Sequence, residues 1–393
     1  MWFELNSFFR KEGKILEKTL SISISFFFFS LAWNLLSPVF SIRINEITGS
    51  VFISGLFFTT WGIVRLITDV PVGVFSDRIK PVKLLRFACF FYPFIVISYA
   101  LIHNVTALFI LRVIHSLFGS LLWVSAWSLI RSLPQKKYVE ENVGFFVILR
   151  SLPVVFGPMI AVLLLSITRI KILYFISAGL LEIMFLILFF KKDIKLKERE
   201  KRKEKKILNE IKNLFKTKKV YSLPILFIST FIISSGFGSF LPIILQEEGF
   251  SIENIGFLLS LSTIPSLIIT MPASKIGDVK GRKPIIILGS IITSLGFLVF
   301  SQDSNFWIIL SSLTLINIGD IITVSTINAL VADLTIDGKS GSFAGITEFF
   351  KDVGQIIGPA FAGFMLKISN YHSLSYIYMV VIIISLSIIY KWL

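Results

Sequence analysis

Ionisable side chains interrupt otherwise apolar stretches at a few separated places. Arg65 is followed one turn later by Asp69, Arg112 lies three residues before His115, and Arg150 and Asp320 stand apart from other charges. Glu348, Lys351 and Asp352 fall within five residues, and Glu182 stands alone in its run. A charge in hydrocarbon costs several kcal/mol, so such residues are expected to bind something or to relay protons. Enzyme chemistry has little support. Gly338-Lys339-Ser340 resembles the end of a phosphate loop, but Asp333 stands where the loop's first Gly belongs. Neither G-x-S-x-G nor H-E-x-x-H occurs. The three His are scattered and Cys89 is the single Cys, so neither a disulfide nor a Cys/His metal cluster is expected. No catalytic residue and no cofactor is expected.

The elements that must carry these residues are long and apolar. Of 393 residues, 54% are hydrophobic, 16% are charged and 40 are Phe, and mean hydropathy is +0.82. A water-soluble fold uses more charge and less apolar surface. Twelve stretches reach the roughly 20 apolar residues that cross a bilayer: 20–42, 49–75, 84–103, 105–131, 143–166, 172–190, 221–246, 254–276, 284–301, 306–330, 342–368 and 374–392. Their hydrophobicity is continuous rather than alternating, which points to helices and away from a barrel. The first stretch lacks a small-residue cleavage site and is expected to be a retained helix.

The net charge of +15 follows the membrane sides. With the N-terminus placed inside, 31 Lys and Arg fall in inner segments, 4 in outer segments and 4 within the spans. That bias predicts a multi-pass plasma-membrane protein with both termini cytoplasmic. It also accounts for the basic balance without nucleic acid. Residues 191–219 carry 14 of these cations and divide the chain into 1–190 and 220–393, each with six spans. This cytoplasmic linker is either solvated or an amphipathic helix on anionic lipid, since Ile207, Leu208, Ile211, Leu214 and Phe215 make an apolar stripe.

The halves repeat at an offset of 201 residues. Gly55 matches Gly256, Pro71 matches Pro272, and Asp77 matches Asp278. Gly144 matches Gly345, Arg150 matches Lys351, Gly157-Pro158 matches Gly358-Pro359, and Ala161 matches Ala362. Both halves start inside, so the repeat is parallel, with a site expected between the halves near the midplane. Two loops occupy equivalent places: Gly73-Val-Phe-Ser-Asp77-Arg78, and Asp278-Val-Lys-Gly281-Arg282-Lys283. Each resembles part of the signature loop of the major facilitator superfamily, G-x-x-x-D-R-x-G-R-K. The first copy departs from it with Lys80-Pro81 and the second with Ser274 and Val279. Span 11 resembles the Gly-Pro motif of the superfamily's drug antiporters through Gly345, Gly354, Gly358-Pro359 and Ala362-Gly363. Span 5 has a weaker copy at Gly157-Pro158. These positions are expected either to bend helices or simply to pack them.

The resemblance implies an all-α membrane protein of twelve transmembrane helices in two pseudo-symmetric six-helix bundles. It implies a central cavity lined by spans 1, 4, 7 and 10. Span 1 offers Asn34, span 4 offers Arg112, His115, Trp123 and Trp127, and span 10 offers Asn317, Asp320 and Asn328. Arg112 resembles the span 4 arginine linked to proton coupling in family antiporters. The two Trp are expected either to face an organic substrate or to pack. The signature residues Gly73, Asp77, Arg78, Asp278, Gly281, Arg282 and Lys283 are expected to brace the inward-closed state, with Asp77 near the start of span 11 at Ser342. Arg65 and Asp69 of span 2 and Glu348, Lys351 and Asp352 of span 11 are expected to pair as a gate across the halves, or else within each helix at i+3 or i+4. The expected function is secondary transport of a small organic solute by alternating access, with proton-coupled efflux preferred. An uptake permease for a sugar, organic acid or other metabolite is the alternative, and a non-transporting sensor or enzyme a remote one. The expected partners are the solute, protons and lipid, and the chain is expected to be a monomer.

Overall fold

The computed structural model describes residues 2–131, 139–190, 222–302, 305–334 and 340–392. The linker with its apolar stripe, and Lys339, lie outside the described residues. Of Asp77, Arg78, Asp278 and Ser342 the backbone alone is described. Every described element is a helix, as lipid demands of a chain whose backbone must satisfy itself. There are twelve: α1 (Trp2–Thr48), α2 (Val51–Arg78), α3 (Pro81–Leu101), α4 (Val105–Arg131), α5 (Val139–Leu165), α6 (Ile170–Phe189), α7 (Ser222–Glu247), α8 (Ile252–Lys280), α9 (Arg282–Phe300), α10 (Phe306–Leu334), α11 (Ser340–Ile368) and α12 (Tyr371–Trp392). Their ends fall within a few residues of the twelve apolar stretches, except that α1 begins 18 residues before the first stretch.

Ten of the twelve contain a described segment long and apolar enough to cross a membrane. The exceptions have plain causes. In α11, Lys351, Asp352 and Gln355 interrupt the apolar run, and the described apolar part of α12 stops at Ser387.

Short turns join the helices. Gly49 and Gly249 take positive φ of 63° and 84° where α1 and α7 end. Phe250 N–H reaches back to Leu245 C=O at 3.0 Å, closing the end of α7 around Gly249. The Ser251 side chain then accepts from Asn254 N–H and starts α8.

The chain divides into two compact units. Unit 1 comprises residues 1–37 and 67–200, and unit 2 comprises 38–66 and 201–393. Within unit 1, α3 packs between α4 and α6 and buries Ala88, Cys89, Tyr92, Val96 and Tyr99. An aromatic cluster of Phe26, Phe29, Trp123 and Phe146, with centroids 5.1–5.8 Å apart, fills the meeting of α1, α4 and α5. Within unit 2, Phe237, Phe240, Phe297, Phe300, Tyr371 and Tyr378 belong to one core.

Small residues set the closest helix crossings. In unit 1 a Cβ added at Gly157 of α5 would lie 2.5 Å from Asn34 Cβ of α1. In unit 2 a Cβ at Gly358 of α11 would lie 2.5 Å from Ile232 O and 3.0 Å from Gly236 N of α7, against Ser235. Asn34 and Ser235 are themselves related by the offset of 201, as are Gly157 and Gly358. The repeat therefore reproduces one helix–helix contact in each unit. In unit 2, α2 also meets α11 through Gly55, Thr59 and Gly62. A Cβ at Gly55 would lie 2.6 Å from Pro359 O, and the Thr59 hydroxyl donates to Ile356 O at 3.0 Å.

Candidate substrate and coupling site

In unit 1 the site residues come from α1, α3, α4 and α5. Arg112 and His115 lie one turn apart on α4 and are 8% and 3% exposed. Arg112 Nη1 lies 3.4 Å from His115 Nδ1, and the Tyr99 hydroxyl lies 3.1 Å from the same nitrogen. Arginine has only donors, so Nδ1 must accept and the imidazole carries its proton on Nε2. Tyr99 then donates to Nδ1, while its oxygen accepts from Arg112. The Trp33 ring of α1 stacks on the imidazole at 4.8 Å with 7° between planes, and Tyr92 meets its edge at 5.5 Å. Ser116 donates back to Arg112 C=O at 2.7 Å. Two residues singled out in the sequence thus meet three that were not: Trp33, Tyr92 and Tyr99. Their signal was faint, because aromatic residues on apolar helices are usually core.

The other span 4 positions also gain partners. Trp123 packs on Phe26 and Phe29, and the Arg150 guanidinium of α5 lies over its ring at 5.2 Å. Trp127 packs edge-on against Phe146 at 5.5 Å. Asn34 does not reach away from α1; its amide donates to Ser30 C=O at 2.8 Å, beside the Gly157 crossing. Glu182 is half-buried.

In unit 2, Asn317 of α10 donates to the Ser262 hydroxyl of α8 at 3.1 Å. Asp320 is half-buried and Asn328 exposed on the same helix. Lys351 of α11 pairs with Glu348 at 2.9 Å, the local i,i+3 arrangement, and sits over the rings of Phe227 and Phe231 at 5.3 and 5.8 Å. Asp352 is buried at 6% exposure. Arg65 lies 5.8 Å from the Trp61 ring centroid, one turn earlier on α2.

In the second signature loop, Gly281 joins α8 to α9 with φ 87°, a conformation that only glycine adopts freely. Arg282 holds Asp333 at the end of α10 with two hydrogen bonds of 2.7 and 3.3 Å. Lys283 is half-buried. The first loop reaches the same connection differently. Its Lys80, equivalent to Gly281, has φ −50° and ψ 122°, the conformation favoured before proline, and Pro81 opens α3. The departure from the signature is thus a substitution of one turn for another. An added Cβ at Gly73 would meet nothing within 4 Å.

Comparison with known proteins agrees with this architecture. The model of the Major Facilitator Superfamily matches residues 22–255 and 225–393. An uncharacterised MFS-type transporter of Methanocaldococcus jannaschii is 26% identical over 380 residues, covering 94% of this chain and 97% of that protein. The quinolone resistance protein NorA of Staphylococcus aureus is 24% identical over 149 residues, 37% of this chain and 38% of its own length. Among solved structures, an inward-facing, occupied bacterial homologue of the human lysosomal transporter Spinster superposes with a TM-score of 0.77 at 11% identity, covering 95% of this chain and 96% of that one. The nucleoside transporter NupG superposes at 0.77 and 14% identity, covering 95% and 98%. With the family model spanning nearly the whole chain, twelve helices in the expected order and an intact internal repeat, the chain belongs to the major facilitator superfamily of transporters.

Proposed function

We propose that this transporter moves a small organic solute by alternating access and that proton movement drives the export of that solute. The observation that carries the reading is the buried Arg112–His115–Tyr99 cluster. His115 Nδ1 cannot hold a proton and accept from Arg112 at once. Protonation would set two cations about 4 Å apart, a repulsion on the order of 4 kcal/mol at an effective dielectric near 20. A proton arriving at His115 therefore displaces Arg112 and disturbs the contacts of α4 with α1 and α3. The partial likeness to a quinolone resistance protein supports efflux as the direction. The protein is read as a plasma-membrane monomer with cytoplasmic termini, its bundles at 1–190 and 220–393 joined by 191–219.

The test is solute flux in proteoliposomes under an imposed pH gradient, using candidate amphipathic compounds. Accumulation that follows the gradient and collapses with a protonophore is expected. Movement down the solute's own gradient, indifferent to pH, would overturn proton coupling while keeping transport. Uptake of a metabolite with no export of amphiphiles would establish the permease reading instead.

A further inference from the structure

Arg150 and Lys351 occupy equivalent positions in the repeat, yet their charges are handled differently. Both lie on the helix stripe that faces their own bundle. On α5 this stripe runs Phe146, Arg150, Pro153, Gly157; Phe146 is fully buried and Gly157 touches Asn34 of α1. On α11 it runs Thr347, Lys351, Gly354, Gly358, with Gly354 and Gly358 pressed on α7. Both cations rest on aromatic faces, Arg150 on Trp123 and Lys351 on Phe227 and Phe231. Lys351 also has Glu348 three residues earlier. The residue equivalent to Glu348 in the first half is Val147. Arg150 therefore lacks the local carboxylate that its counterpart has, and among the described residues its buried Nε has no hydrogen-bond partner.

This position lies within the apolar segment of α5, Phe145–Leu165. At about 1.5 Å per residue, Arg150 is about 8 Å inside the start of that segment. A cation there is costly, and a ring face offers attraction without accepting the guanidinium's five donors. A planar carboxylate, phosphate or sulfonate would satisfy those donors in the two-pronged geometry that arginine favours. The half-buried Trp123 ring, held in place by Phe26 and Phe29 packed against it, suits the apolar body of the same molecule.

We propose that the transported solute is an organic anion with an aromatic or apolar body, and that Arg150, backed by Trp123, receives its anionic group. This rests on the transport reading above and narrows its substrate class.

The test uses the full chain in phosphatidylcholine nanodiscs, where the lipid carries no net charge. Thermal shift titrations compare 2-naphthoate with 2-naphthamide and with the cation 2-naphthylmethylammonium. The naphthoate is expected to bind about tenfold or more tightly than the amide. Arg150→Lys should keep part of that preference and Arg150→Gln should lose it. Val147→Glu supplies in the first half the counter-ion that Glu348 supplies in the second. It should abolish the preference without lowering the melting temperature of the unliganded protein, which keeps the test decisive if Arg150→Gln does not fold. Equal binding of the three probes, tighter binding of the cation, or an anion preference surviving in both Arg150→Gln and Val147→Glu would overturn the assignment. So would an Arg150-dependent shift produced by phosphatidylglycerol but by no soluble anion, since the ligand would then be a lipid headgroup. Failure of the transport reading looks different: the anion preference would be present with no flux of any solute in proteoliposomes.

Discussion

Arg112 and His115 hold one another inside unit 1, and the partners they share fix which change matters. Replacing His115 by Phe keeps an aromatic ring under Trp33 but removes an acceptor that Arg112 and Tyr99 share. Losing a buried hydrogen bond costs about 0.5–1.5 kcal/mol, so His115→Phe should lower the melting temperature. His115→Gln restores an amide oxygen and should recover most of that loss. It removes the titrating ring, so flux should become less sensitive to pH. Flux of His115→Gln that keeps the wild-type pH profile would remove His115 from the coupling mechanism. The sequence made Arg112 and His115 visible because polar residues stand out in an apolar helix. It concealed Trp33, Tyr92 and Tyr99, because their roles depend on which neighbour they meet rather than on their type.

Helix crossings are governed by a few small residues, and these were legible through the repeat. Gly157 and Gly358 recur at one offset, and each sits where α5 or α11 comes closest to α1 or α7. Gly55 and Gly62 do the same where α2 meets α11. Adding bulk at such contacts forces helices apart at a cost of about 1–3 kcal/mol. Gly157→Val, Gly358→Val and Gly55→Val should each lower the melting temperature and the yield of folded protein. Gly73→Ala is the contrasting case: its φ is not positive and the added methyl meets open space, so stability should be unchanged. A marked loss in Gly73→Ala would mean that the first signature glycine has a contact not formed in this conformation. Motif resemblance did not distinguish Gly73 from Gly281, because a consensus records residue type and not backbone angle. Nor did it explain Lys80, which becomes intelligible only with Pro81 following it and φ −50°.

Charge partition sets the orientation of the whole molecule. The described helices agree with the apolar stretches because length and hydropathy are dictated by bilayer thickness, a property written directly in composition. The contacts of Asn34 could not be read in that way: its amide bonds Ser30 on its own helix, a choice invisible to periodicity. Which side of the membrane each turn faces rests on the positive-inside bias, and single-cysteine labelling decides it. Cys89 is the chain's single cysteine and is fully buried, so Cys89→Ala gives a background without reactive thiols at little structural risk. Cysteine placed at Lys201 should be unreactive to a membrane-impermeant maleimide on intact cells and reactive in inside-out vesicles. Cysteine at Glu248 or at exposed Ser369, in the turns after α7 and α11, should react on intact cells. The opposite pattern would invert the protein in the membrane. The 14 cations of residues 191–219 would then face outward, against the bias that otherwise retains such loops in the cytoplasm.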